Sequence, residues 1–193
     1  MSTVRENSKV FATGEVHDTI RFVEDGEFIM PNGEVVCGKA GEEVKLPVVH
    51  NLIVYSFPKI ISALLKGDNS IFQNMWWEVG SGSDTWNDES LPLPTLEDEG
   101  LLSPTFRKAI PLSQINYLNP STNEVTVNYT NKLQVECTFS PHEANGYLRE
   151  FSIFMGGNEA LGSGLPINRK IHGVIYKTSG IELQRKIHFQ FNI

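Results

Sequence analysis

The chain has 193 residues, 40% of them hydrophobic, enough to bury one good core or one core with a small satellite module. Its formal net charge of -7 opposes a sequence-independent grip on phosphate backbones, which needs a clustered Lys/Arg surface, and so excludes nucleic acid as an expected partner. Two cysteines, Cys37 and Cys137, give neither a disulfide framework nor a zinc knuckle. The opening MSTVRENSKVF has no apolar signal region and no stretch approaches the ~18 apolar residues of a membrane span, so a soluble cytoplasmic product is expected.

The first fifteen or so residues are polar and aperiodic, as in an arm that orders against a neighbour. Val16, Ile20 and Phe22 then share one parity, Asp25-Gly26 signals a turn, Phe28 to Met30 is a short apolar run, and Asn32-Gly33 is a strong two-residue hairpin signal leading into Glu34 to Cys37. Val44 to Val54 reads as extended but carries Pro47, which suits an edge or irregular strand. This first third predicts a small antiparallel sheet.

Ser56-Phe57-Pro58 opens a predicted helix, with Ser56 at the N-cap position and Pro58 in the first turn. Phe57, Ile60, Ile61, Leu64 and Leu65 follow a helical stripe that Gly67 terminates, so the helix is expected to seal one sheet. Met75 to Val79 predicts an aromatic strand. Gly80 to Asp84 ends it in a flexible stretch, and residues 80–105, with several prolines and acidic residues and little periodicity, predict the longest loop in the protein, the kind of segment that works or touches something.

Phe106 to Leu112 predicts a strand and Asn116 to Asn123 a polar linker. Val125, Val127, Tyr129, Leu133, Val135, Cys137 and Phe139 keep one parity, as one bent strand or as two strands meeting at Thr130-Asn131-Lys132. Tyr147 to Met155, Arg169 to Tyr176 and Ile181 to Ile193 complete the set. In the last of these Ile181, Leu183, Ile187, Phe189, Phe191 and Ile193 alternate with polar residues, the period of a half-buried strand. Many short strands at this spacing predict a mainly β fold: an antiparallel β-sandwich with one short packing helix over about 57–66, a body spanning 46–193, and an N-terminal arm with a small β-hairpin module over 1–45.

Chemistry-bearing patterns are sparse. Asp84, Asp88 and Glu89, with Ser81, Ser83 and Asn87 among them, lack the spacing and glycine of a calcium loop and read as a solvated acidic segment. His17, His50, His142, His172 and His188 show no HxH or HExxH spacing, and most are expected on outer faces or turns. No sequence feature selects a carboxylate pair for glycoside hydrolysis, and Glu143 and Glu150 are explained equally well as surface partners of Arg149 or Lys170. The glycines at 156–164 lack the lysine of a phosphate loop and predict a long flexible turn. Trp76, Trp77 and Trp86 remain as candidate anchors. On a strand, Trp76 and Trp77 face opposite sides, so one belongs to the core while the other is covered or exposed to a partner.

The ordered series His50-Asn-Leu-Ile-Val54, the helix from Pro58 to Lys66, Glu78-Val-Gly-Ser-Gly-Ser-Asp-Thr-Trp-Asn-Asp88, Phe106-Arg-Lys-Ala-Ile110, Glu143-Ala-Asn-Gly-Tyr-Leu-Arg-Glu-Phe-Ser-Ile-Phe154, Ile167-Asn-Arg-Lys170 and Lys177-Thr-Ser-Gly-Ile-Glu-Leu183 resembles structural proteins of tailed bacteriophages and prophages. Those proteins are tail, tail-fibre-associated, baseplate and neck or collar components. The resemblance covers roughly residues 45–193 and rests on the order of the pieces, and it implies that the N-terminal 45 residues are the variable attachment region. It implies a non-enzymatic virion subunit without cofactor or metal, located in the tail or neck region after synthesis in the host cytoplasm. Its partners would be other virion proteins and copies of itself, with no nucleic acid and no membrane. Trp76, Trp77, Trp86, Arg149 and Glu150 are the expected interface residues. A receptor- or glycan-binding module of the tail tip or fibre, using the 80–105 loop, is the alternative. An enzyme acting on cell-wall polysaccharide would need a carboxylate pair in a cleft.

Overall fold

A computed structural model describes residues 11–192. In chain order the strands are Phe11–Phe22 (β1), Gly26–Ile29 (β2), Val35–Gly38 (β3), Glu43–Lys45 (β4), Val49–Ile53 (β5), Met75–Gly80 (β6), Pro104–Ile110 (β7), Ile115–Leu118 (β8), Val125–Thr126 (β9), Lys132–Phe139 (β10), Gly146–Met155 (β11), Leu165–Pro166 (β12), Asn168–Lys177 (β13) and Ile181–Asn192 (β14). One α-helix, Ser56–Lys66 (α1), lies between β5 and β6. The arm expected over the first ten residues lies outside the described residues.

The strands join in the order β7-β6-β11-β13-β5-β1-β14-β10-β8-β9, with β12 beside β11, β4 beside β1 and every pairing antiparallel. β5 is the corner. Val49 to Asn51 pair with β1, whereas Leu52 and Ile53 pair with β13, so one short strand serves both halves and the sheet folds over on itself as a sandwich. The closure is visible at the far ends, where Phe106 of β7 meets Phe139 of β10 edge to face at 6.0 Å and the Lys108 ammonium donates to the Thr138 carbonyl at 2.8 Å. Between the halves Trp77, Val79, Phe151 and Ile153 pack with Val135, Phe139, Leu183 and Ile187 in one apolar core.

The alternation of β14 translates directly into burial, with Ile181, Leu183, Ile187 and Phe189 inside. The one break in that alternation, Arg185, is also inside. It lies opposite Asp18 of β1 in the β1–β14 register and pairs with it at 3.0 Å. Its guanidinium crosses the sandwich to sit 4.6 Å over the Phe151 ring and to donate to His172 Nε2 at 3.0 Å.

Several expectations are revised. β1 lies at the centre of the large sheet, paired along its whole length with β14, and β4 also pairs with it, so no break in the sheet coincides with residue 45. Only the β2–β3 hairpin stands apart as a two-stranded ribbon, with Asn32-Gly33 at its turn. β8 occupies part of the segment read as a polar linker, because Ile115 and Tyr117 find partners on β10. The run from Val125 is two strands, β9 and β10, the second of the two expected arrangements. Ser56 does not cap α1: Tyr55 holds the N-cap position, and the Ser56 hydroxyl donates instead to the Pro166 carbonyl. Gly67 ends the helix in the left-handed conformation as expected. The helix covers the sheet only in part: Ile60 is buried and Phe57 stacks on Phe191, while Ile61, Leu64 and Leu65 face outward.

Candidate functional site

β11 is buried on both faces from Leu148 to Phe154. One face meets the opposite half of the sandwich; the other is roofed by two connecting segments, 81–103 and 156–164. Each is fastened by a charged residue that the strand pattern would have placed at the surface.

Arg149 holds the first segment. Its guanidinium donates to the carbonyls of Ser83 at 2.8 Å and Trp86 at 2.9 Å and pairs with the Asp88 carboxylate. The Trp86 ring lies against Gly82, where a β-carbon would come within 2.2 Å of it and where φ is +66°, so this turn needs glycine on both counts. Further along, fully buried Glu150 accepts from the Ser103 amide at 2.8 Å and from Arg169 at 2.7 Å, and Arg169 also pairs with Asp98 at 2.9 Å. The Tyr55 amide donates to the Leu96 carbonyl at 2.9 Å. The long loop, with its opening Gly80 to Asp84 expected to be flexible, is therefore tied to the body at four places, through Arg149, Glu150, Arg169 and Tyr55, and Ser81 bonds Ser103 across its base.

Glu78 holds the second segment. It pairs with Arg107 at 2.8 Å, both side chains essentially without exposure, and accepts from the Gly162 amide at 2.8 Å, while Arg107 also donates to the Ser163 carbonyl. Arg107 lies between the rings of Trp76 and Phe154, at 5.1 and 4.8 Å. The glycine-rich turn is thus a lid over a buried ion pair.

These contacts locate the five expected interface residues. Trp77 and Glu150 have no accessible surface with which to meet a partner in this fold, because each completes the interior. Arg149 is buried and faces the loop, Trp76 is half-buried beneath Arg107, and Trp86 is half-buried against Gly82. Glu150 pairs with Arg169 and Glu143 with Lys108, which replaces the surface pairings with Arg149 and Lys170. Asp88 is committed to Arg149.

Compared with protein-family models and with curated proteins, the sequence matches none.

Two further arrangements stand outside these contacts, the first built from apolar residues whose periodicity the sequence shows but whose exposure it does not. The first is apolar and exposed. On α1, Ile61, Leu64 and Leu65 share a face at i, i+3 and i+4, with Leu65 83% exposed. At and beyond β9, Val125, Val127 and Tyr129 project outward, the last two 95% and 90% exposed. The second is polar: Glu15, His17 and His188 offer ligand atoms that all lie within 4.8 Å of one another, the one such group of His, Cys, Asp and Glu among the described residues. Burial, and then the adjacent His17, push the His188 imidazole down to about 4, so it is neutral at physiological pH. His172 is interior, an exception to the positions expected for most of the histidines. Burial and then the Arg185 charge hold it well below the ordinary histidine value. Both cysteines are free, Cys37 exposed and Cys137 buried.

Proposed function

We propose that this chain is a non-enzymatic structural component of a tailed-phage particle, linking or decorating the tail, the neck or collar, or the point of fibre attachment through contacts with copies of itself and with other virion proteins. The observation that carries this reading is the apolar face of α1. Ile61, Leu64 and Leu65 are clustered, exposed and flanked by the exposed Lys59 and Lys66, and an amphipathic helix whose apolar side is left uncovered on the single chain gains stability by covering it. Val125, Val127 and Tyr129 give a second patch of the same character. The phage assignment itself comes from the ordered resemblance over residues 45–193. Receptor or glycan binding through the 80–105 loop is the second reading, and with Trp77 buried and Trp76 under Arg107 it depends on Trp86.

The test is cross-linking from Lys59 and Lys66 in purified particles, with Leu65→Glu for comparison. Cross-links to tail, collar or fibre proteins, or between copies, are expected in the parent and lost in the variant. Absence of the chain from purified particles overturns the reading, and cross-links indifferent to Leu65→Glu overturn the role of α1.

A further inference from the structure

The antiparallel register of β1 and β14 places Glu15 directly opposite His188. His17, two residues along β1, projects from the same face, away from the core side occupied by Val16 and Asp18. On the other side of β14, Gln134 of β10 lies opposite His188. The His17 and His188 rings are 4.4 Å apart, and His17 Nε2 lies 3.8 Å from the Glu15 carboxylate, beyond hydrogen-bond distance. His17 Nε2 and His188 Nδ1 are both shielded from solvent and have no hydrogen-bond partner.

A relay explains why His188 keeps a lone pair free. The Gln134 amide donates to Glu136 at 3.4 Å, which turns its carbonyl oxygen toward His188 Nε2 at 3.2 Å. Nε2 therefore carries the ring proton and donates, and Nδ1 is left as an unprotonated acceptor without a donor. Glu136 is itself fixed by Gln184 at 2.6 Å and Lys186 at 3.4 Å. A hydrogen-bonded outer residue that selects the tautomer and orientation of an imidazole is the arrangement that supports metal-ligating histidines.

We propose that Glu15, His17 and His188 bind a divalent first-row transition metal that bridges β1 to β14, with Gln134 as the positioning residue. Two imidazoles and one carboxylate select zinc, copper, nickel or iron over magnesium and calcium, which prefer all-oxygen shells. Metal bonds of about 2.0–2.2 Å set tetrahedral ligand atoms roughly 3.3 Å apart, so side-chain rotations of about 1 Å close the present arrangement, and water completes the fourth position. Two cations stand near this face: Lys186, paired with Glu136, and Lys132, which donates to Asn123 at 2.7 Å. Each is engaged elsewhere.

The probe is zinc chloride titrated calorimetrically into the metal-stripped full chain, with thermal unfolding in parallel. One zinc per chain and a raised melting temperature are expected. His17→Gln should weaken binding at least 100-fold. Glu15→Gln, isosteric and on a half-exposed residue, should do likewise without disturbing the fold, and His142→Gln, on a remote turn, should bind as the parent does. Gln134→Leu should weaken binding by about 10–100-fold. In the metal-free protein it should also erase the single-tautomer pattern of His188 in imidazole 15N spectra, which a purely structural role would leave intact. Absence of saturable zinc binding by the parent, or binding as tight as the parent's by Glu15→Gln and His17→Gln, overturns the site.

Discussion

Replacing Arg149 by Gln should release the 81–103 segment while leaving the strand beneath it in place. The side chain makes two charge-assisted bonds to loop carbonyls and one ion pair with Asp88, whose side chain is 41% exposed. Hydrogen bonds from a charged donor contribute roughly 1.5–3 kcal/mol each, and a half-exposed ion pair about 0.2–1 kcal/mol. Because an opened loop presents both carbonyls to water, the lower end applies, about 3 kcal/mol, equivalent to roughly a hundredfold rise in the open population. Hydrogen exchange followed by mass spectrometry on peptides covering 81–90 reads this directly, since the amides of Ser81, Trp86 and Ser90 are bonded within the segment. Their exchange should accelerate about a hundredfold by the same conversion, with β11 itself still protected. Exchange within threefold of the parent would refute the assignment of Arg149 as the residue that holds the loop.

Other consequences are equally specific. Arg107→Met leaves Glu78 buried without its partner and should cost about 3–5 kcal/mol in urea unfolding, most of it recovered when Glu78→Gln is added; a cycle without recovery would show that the pair is not the determinant. His172 is held neutral when folded but accepts a proton near pH 6.5 when unfolded, so below that pH the unfolded state binds the extra proton and stability falls with acid, by about 1.4 kcal/mol per pH unit at the limiting slope. Burial raises the Asp18 carboxyl against the pull of Arg185 and works in the opposite sense at lower pH, so the readout is the difference between the parent and His172→Gln, which should be flatter from pH 6.5 to 5; superimposable curves would dismiss the effect. Burial pushes the Cys137 thiol up to about 12, so a native-state alkylation count should stop at one thiol, Cys37, and reach two only after denaturation.

What could be read from the linear pattern was local. Alternation along Ile181 to Phe191 and the hairpin at Asn32-Gly33 depend on neighbours a few residues away, and both appear where expected. Arg185 broke the alternation in plain view, but its meaning required Asp18, which breaks the core parity of β1 at the position directly opposite. Register between strands so distant in sequence is not encoded in either one alone. The histidine group was hidden for the same reason: Glu15 and His17 show the i, i+2 spacing of one strand face, but His188 joins them only through pairing. Tyr117 and Ile115 were lost in a polar background because β8 is four residues long and too short to show a period. The hold of Arg149 on the 81–103 loop left little trace in the sequence because two of its three contacts are to main-chain carbonyls, which carry no residue identity.

The pairing of β1 with β14 also governs the order of events during synthesis. β5 and β4, the other neighbours of β1, emerge soon after it, but the partner that covers its full length is made only when translation has reached Asn192. At about 5–20 residues per second this interval is roughly 10–30 s, during which Val16, Ile20 and Phe22 wait on an incomplete sheet. A nascent chain in that condition exposes a strand edge that a completed β14 from a neighbouring chain fits equally well. Exchange of β1 between copies is the expected outcome of crowded synthesis, and a slow refolding phase that quickens with protein concentration is the measurement that checks it.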